Sequence, residues 1–307
     1  MINVGIVSLN YFSDNKTIKL INSLANLNGL GSSYKISMVV VDNGSVDSCL
    51  FKHLRDNFSS TAENIFNFDS FFSIKYFSSE KNLGFSAGCN TGCNFLDLKK
   101  IDFLFFLNND TTLDRNCLLE LISCSSQFQG AMNKLLSPVI WTEDGKKLWF
   151  EGGVYNLFFG YSKHVPYPVF KRNKNKYLSG CALFMPTKIF LDLKGFDESY
   201  FFYGEDLDFS IRVKKMGMLL DICPDAIVYH EGGGSIGKKT RAAYFNYVSG
   251  SLGVFLSHGP VILWPVFILR HLLKLTALII FFRISLDSIV GYLKGIVDSL
   301  SRHAIKK

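Results

Sequence analysis

The chain has 307 residues, 48% hydrophobic and 19% charged, too apolar a mixture for a disordered protein. From Ser251 onward seven residues are basic and two acidic, so the tail carries +5 of the net +7 and the first 250 residues are nearly neutral. A body without a basic stripe gives no reason to expect a nucleic-acid partner, and seven cysteines with no CxxC pair exclude zinc and dithiol motifs and argue against a disulfide scaffold.

The opening residues 1–7 have neither a basic leader nor a cleavage site and read as the first strand of a cytosolic domain. Residues 4–9, 38–41 and 103–107 are nearly unbroken β-formers, as expected of strands covered on both faces. Between the first two, Ile18, Ile21, Leu24 and Leu27 recur at helical spacing, and another helix is expected after Asp114 with Leu118, Leu119, Leu121 and Ile122 inward. This rhythm predicts an α/β domain with a Rossmann-like, mostly parallel central sheet flanked by helices over about the first 130 residues.

Ligands of such sheets bind beyond the carboxyl ends of the strands. Those ends are polar here: Ser8-Leu9-Asn10, Asp42-Asn43-Gly44-Ser45 and Asn108-Asn109-Asp110. Each run alone could be an ordinary turn; three on one sheet edge suggest a site. Asp110 offers a hard oxygen ligand for a divalent ion, and His230, ending a later strand, offers a second. Residues 134–186 are less regular and are expected to complete the sheet and wall an acceptor cleft. Glu205 and Asp206 open a helix after the aromatic run Tyr200-Phe-Phe-Tyr203, where a carboxylate could be a general base or merely cap the helix.

Three motifs are decoys. Gly232-Gly-Gly-Ser-Ile-Gly237-Lys238-Lys239 nearly spells a phosphate loop but has Lys239 in place of the final hydroxyl residue. Gly29-Leu-Gly31 precedes a strand instead of following one, and His230-Glu231 lacks a second metal-binding histidine.

The tail, residues 251–307, is expected to be a separate helical unit. Residues 242–269 carry no Asp, Glu, Lys or Arg, but His258, Gly259, Pro260 and Pro265 interrupt any span. Leu286, Ile289, Val290, Leu293, Ile296, Val297 and Leu300 follow three-and-four spacing and suggest a helix lying on an anionic lipid surface. Packing on its own domain, or on a second protomer as a homodimer, would use the same pattern.

Six motifs in order resemble the inverting family-two glycosyltransferases of the GT-A fold, especially their rhamnosyltransferase-like branch. They are Val7-Ser-Leu-Asn-Tyr11, Val39-Val-Val-Asp-Asn-Gly-Ser45, Asn82-Leu-Gly-Phe-Ser-Ala-Gly-Cys-Asn90, Phe106-Leu-Asn-Asn-Asp-Thr111, Gly195-Phe-Asp-Glu-Ser-Tyr-Phe-Phe-Tyr-Gly-Glu-Asp-Leu-Asp208 and His230-Glu-Gly-Gly-Gly-Ser235. The resemblance implies a catalytic domain over residues 1–250, with a nucleotide-sugar half (1–130) and an acceptor half (131–250). It implies that Ser8, Asn10 and Asp42 line the nucleoside pocket and that Asn82, Gly84 and Asn90 shape the donor wall. Asn108-Asn109-Asp110 stands for the family's DxD motif, with Asn in place of the first Asp. Asp110 and His230 would then hold Mg²⁺ or Mn²⁺, Asp206 would be the base, and Glu205 would position the acceptor. The implied reaction is inverting transfer of a sugar from a nucleoside diphosphate, dTDP-L-rhamnose first and UDP-hexose or UDP-galactofuranose next, in bacterial surface polysaccharide (O-antigen or capsule) synthesis. The implied acceptor is a polyprenyl-diphosphate-linked saccharide at the cytoplasmic face of the membrane. A nucleotidyltransferase would want a Gly-rich basic loop after the first strand, which Ser8-Leu-Asn-Tyr-Phe-Ser13 is not; a non-catalytic scaffold would have no need of Asp42, Asp110, Glu205 and Asp206.

Overall fold

The computed structural model describes residues 1–44, 48–62, 64–126, 134–232, 240–281 and 283–304. Strand and helix alternate through its first half. β1 (Ile2–Asn10) leads to α1 (Asp14–Ala25), which buries Thr17, Leu20, Ile21 and Leu24 on one face. After them come β2 (Tyr34–Asn43), α2 (Cys49–Asn57), the short β3 (Ser59–Ala62) and β4 (Ile65–Asn67), β5 (Phe72–Ser79) and α3 (Gly84–Asn94). β6 (Phe103–Leu107) is buried along its whole length. β5, β2, β1 and β6 are successive parallel neighbours. Helices cover both faces of such a group, which is why its strands are continuous hydrophobic runs.

The second half continues with β7 (Thr111–Leu113), α4 (Cys117–Ser126), β8 (Lys134–Thr142) and β9 (Leu148–Phe150). Next are β10 (Gly153–Asn156), β11 (Tyr161–His164), α5 (Tyr167–Arg172) and β12 (Lys176–Tyr177). β13 (Ala182–Pro186), α6 (Thr187–Asp192), α7 (Glu205–Lys215) and β14 (Leu219–His230) complete the body. The main sheet runs β3-β4-β5-β2-β1-β6-β13-β8-β14-β7, with β9 on β8, and β11-β10-β12 form a second sheet. β13 is antiparallel to β6 and β7 to β14, while β14 is parallel to β8. The parallel sheet expected from the sequence is thus the part around β1, and the whole is mixed. A disulfide, Cys124–Cys223, ties α4 to β14, and nothing in the cysteine spacing points to it.

The tail contains α8 (Arg241–His258), a turn at Val261–Leu263, α9 (Trp264–Ile280) and α10 (Leu286–Ala304). The boundary expected at 250/251 falls inside α8, while the break expected around His258 to Pro265 separates α8 from α9. Contact between α8 and the α/β body is close: a Cβ on Gly250 would lie 1.9 Å from the Tyr203 carbonyl oxygen. His258 Nε2 meets Asp208 Oδ1 at 2.7 Å, and the Arg302 guanidinium of α10 donates to the Ser199 carbonyl. α10 turns its small face inward. Ser288, Gly291, Tyr292, Gly295 and Ser299 are buried, and of the expected apolar stripe Leu286, Val290, Leu293 and Val297 face outward. Small residues win the interface because they let α10 approach α8 closely, as at Gly291 beside the Arg241 carbonyl. Among the described residues Val261–Ile280 is the one helical stretch long and apolar enough to cross a membrane.

The Gly250 contact carries a prediction. In Gly250→Ala the methyl group meets a backbone carbonyl that cannot rotate aside, so the variant is expected to lose about 1–3 kcal/mol, as overpacking does. Scanning calorimetry would register this as a lower Tm; an unchanged Tm would mean that α8 does not sit against the Tyr203 loop.

Candidate active site

Register brings the polar strand ends together. Asn10 of β1 pairs with Asp42 of β2, and Val7 with Phe106 of β6. Asp42 is fully buried; its Oδ1 accepts from Asn10 Nδ2 at 3.2 Å and its Oδ2 from the Tyr76 hydroxyl at 2.6 Å. Asn10 Oδ1 in turn accepts from Thr17 Oγ1 (2.8 Å) and Asn109 Nδ2 (3.3 Å). Asn109 Nδ2 also reaches Thr17 Oγ1 at 2.9 Å. Asn10, Asp42 and Asn109 therefore form one buried network that locks the ends of β1, β2 and β6 to α1. Ser8 is buried beside it, and its hydroxyl has no partner among the described residues.

Above this network lies a cleft lined by Leu9, Tyr11, Asn43, Asn82, Gly84, Phe85, Asn108, Asn109, Asp110, Phe201 and Phe202, among others. Asn82 and Gly84 line it as expected; Ser8, Asn10 and Asp42 do not, standing behind the wall. Asn43, buried but part of the same polar strand end, lines the cleft in their place. Its Oδ1 accepts from Leu83 N (2.7 Å) and its Nδ2 donates to Asn82 Oδ1 and the Gly84 carbonyl, both at 3.1 Å. Gly84 has φ 78°, and a Cβ there would lie 2.4 Å from the Phe201 carbonyl oxygen, so this turn demands glycine. Asn90 faces away from the cleft. It holds the Phe196 backbone at N and O, 2.9 Å each, and meets Glu198 Oε1 at 3.0 Å, so it braces α3 from behind.

Asp110 and His230 are brought together by the β7–β14 pairing, in which Thr111 faces His230 and Glu231 N donates to the Asp110 carbonyl. Asp110 Oδ1 lies 3.2 Å from His230 Nε2, with only 9% and 8% of the two side chains exposed. Burial alone would raise the Asp110 carboxyl, but the hydrogen bond and charge of His230, with Lys16 beyond, outweigh it and hold it below the ordinary carboxylate range. Trp149 packs edge-to-face on the imidazole at 4.6 Å, fixing the ring. Lys16 pairs with Glu231 at 3.0 Å just outside. One carboxylate and one imidazole suit Mg²⁺ or Mn²⁺ when the rest of the shell comes from diphosphate and water. No group of three or more His, Cys, Asp or Glu that could hold a metal occurs among the described residues.

A second pair of carboxylates stands at the start of α7. Gly204, at φ 90°, turns the chain into the helix, and Glu205 and Asp206 diverge from there. Glu205 is buried, with Oε2 unpartnered among the described residues; burial first, then the charge of Asp206, pushes its carboxyl up. Half-buried Asp206 accepts from Gly180 N at 3.1 Å and Leu207 N at 2.7 Å. Burial raises its carboxyl too, against those hydrogen bonds and the charge of His164. After burial, both Asp110 and Asp206 push the Cys181 thiol up. Between β6 and β13, Asn108 N donates to the Cys181 carbonyl at 2.9 Å and closes its floor. His164, on the short strand β11, had no periodic signal to mark it. Of the near-phosphate-loop run, residues 233–239 lie outside the described residues, as does Ser45.

Residues 4–123 match the sequence model of glycosyl transferase family 2. No curated protein sequence matches the chain. Among solved structures, S. aureus TarS 1-349 aligns over 98% of this chain and 80% of its own, at 14% identity and TM-score 0.58. The same TarS fragment in complex with UDP-GlcNAc gives 98% and 81%, also at 14% and 0.58. GalNAc-T7 with UDP, GalNAc and Mn²⁺ covers 81% of this chain and 48% of its own, again at 14% and 0.58. At such identities these structures establish the fold. Over residues 4–123 the chain thus resembles the glycosyl transferase family 2 sequences, and the whole is set in a GT-A-like α/β fold.

Proposed function

We propose that the chain transfers a sugar from a nucleoside diphosphate to an acceptor hydroxyl in a single inverting displacement. The observation that supports this reading is the Asp110–His230 pair at a cleft lined by Asn108 and Asp110, with Asp206 held by the Gly180 N–H next to Cys181, whose carbonyl accepts from Asn108. Asp206 takes the proton of the acceptor hydroxyl as its oxygen bonds to the anomeric carbon and the bond to the diphosphate oxygen breaks. Help of this kind is worth roughly 10²–10⁴-fold. Two backbone N–H groups aim the Asp206 carboxylate, and buried Glu205 behind it positions the acceptor. Asp110 and His230 would hold a divalent ion that, when bound, offsets the charge growing on the departing diphosphate. Asn43, Asn82 and Gly84 wall the donor, with Asp42, Asn10, Ser8 and Asn109 stiffening the strand ends beneath and Asn90 holding α3 in place.

The donor reading is dTDP-L-rhamnose, from the resemblance to the rhamnosyltransferase-like branch; the UDP and UDP-GlcNAc in the TarS structures favour a UDP-sugar as the alternative. The acceptor reading is a polyprenyl-diphosphate-linked saccharide met at the cytoplasmic face of the membrane, in O-antigen or capsule synthesis. The exposed apolar faces of α9 and α10, with Arg270, Lys274, Arg283 and Lys294, support a peripheral attachment.

A thermal-shift panel of dTDP, UDP, GDP and ADP, each with and without Mn²⁺, tests the donor site. The expected result is ion-dependent stabilisation by dTDP or UDP, since a ligand that binds only the native state raises its stability. Folded protein that responds to none of the four, or that responds equally without the ion, would overturn the reading.

A further inference from the structure

The turn between β10 and β11 carries two adjacent phenylalanines, Phe158 and Phe159, 61% and 57% exposed. They are held outward by design of the backbone: Asn156 Oδ1 accepts from both of their N–H groups at 2.9 Å, an Asx turn that fixes the tip. The next residue, Gly160, packs on the Phe267 ring of α9, and the Arg270 guanidinium donates to its carbonyl while lying over the Tyr161 ring at 5.4 Å. The tip is therefore fastened to α9. That helix buries Phe267, His271 and Leu275 and turns Val266, Leu269, Leu273 and Ile280 outward, continued by Ile262 at 83% exposure. A fixed apolar tip beside an apolar helix face is a surface that wants a cover.

Charge selects the cover. Exposed Arg270 and Lys274 stand on the same helix, Lys274 donating to the Tyr247 hydroxyl of α8 at 2.7 Å, and Arg283 follows it, within a tail whose net charge is +5. A second copy meeting it in a self-complementary contact would bring the same cations together. An anionic lipid surface meets both the apolar and the basic parts. β11 adds the connection to chemistry, because it runs from Tyr161 at the tip to His164, whose ring packs on Tyr177 of β12 at 6.3 Å, three residues before the Gly180 whose N–H donates to Asp206.

Extending the membrane reading above, we propose that Phe158, Phe159 and the outward face of α9 enter the headgroup region of an anionic bilayer together, so that β11 holds the Asp206 end of the cleft near the lipid surface. Three residues of strand set His164 only about 10 Å from Tyr161. The catalytic body itself, and not the tail alone, would then fix the height at which a lipid-borne hydroxyl reaches the base.

Co-sedimentation of the full chain with vesicles of phosphatidylcholine and phosphatidylglycerol, and of phosphatidylcholine alone, tests this. Binding to the anionic vesicles is expected, with a loss of about tenfold or more in Phe158→Ser/Phe159→Ser, given the transfer free energy of two aromatic side chains. Far-UV circular dichroism and Tm check that the variant is folded. If the variant binds as well as the parent chain, the tip plays no part and this inference fails while the membrane reading stands. If the parent chain binds neither vesicle, both fail. A dimer seen by light scattering that the double substitution makes monomeric would identify a second copy as the cover and overturn the proposal.

Discussion

Asp206→Asn is expected to lower the rate of sugar transfer by about 10²–10⁴-fold, the usual worth of a general base, while leaving nucleotide binding unchanged. An asparagine oxygen can still accept a hydrogen bond from Gly180 N or Leu207 N, so the side chain keeps its place and loses only its ability to take a proton. Initial rates of nucleotide release with acceptor present, set beside nucleotide titrations of the same variant, separate the two effects. An equal loss of nucleotide affinity would assign Asp206 to donor binding instead. The pH profile has a sign as well. Because burial raises the Asp206 carboxyl, transfer should fall on acidification at a pH above the ~3.9 of an unperturbed aspartate. In Asp206→Asn that acid limb should disappear from whatever activity remains.

The second large effect is expected at Asp110. Asp110→Asn removes the anionic partner of His230, and with it the only carboxylate of the proposed ion site. Stabilisation by nucleotide with Mn²⁺ should vanish in this variant; for the parent chain at a hundredfold excess over Kd that stabilisation is about 2.7 kcal/mol. Transfer should fall with it. The protein without ligand should lose little, about 1 kcal/mol, because a neutral asparagine can still accept from His230 Nε2. Paired melts with and without ligand read both quantities. A variant that keeps its full ion-dependent shift would show that the ion, if used, is held elsewhere.

How much of this was legible beforehand depended on the kind of signal. The strand ends were, because a parallel strand that stops being apolar at its carboxyl end marks the edge where ligands bind; Asp110 and His230 are both singled out that way, and the β7–β14 pairing brings them together. Which of two neighbours faces the cleft was not. Asp42 and Asn43 are adjacent on one strand, so they point to opposite faces, and the register that sends Asp42 inward to Tyr76 depends on β5, far away in sequence. The same ambiguity held at Glu205 and Asp206, where the helix start was clear but not that Gly180 would hold Asp206 while Glu205 turned into the interior. α10 misled for a different reason. Hydrophobic spacing assumes that large apolar residues fill the interface, whereas α8 and α10 meet through Gly291, Gly295 and serines, which leaves Leu286, Val290, Leu293 and Val297 outside. His164 sits on a strand of four residues and the Phe158 and Phe159 tip in the turn between two such strands, too short for any periodicity to register.

The central claim is a single displacement at the anomeric carbon with Asp206 as the base, and stereochemistry tests it most directly. With the nucleotide sugar selected by the panel, proton NMR of the product formed before mutarotation reads the anomeric configuration, whether the sugar is transferred to an acceptor or to water. Inversion relative to the donor is the predicted result. Retention would require an even number of displacements and would contradict the account.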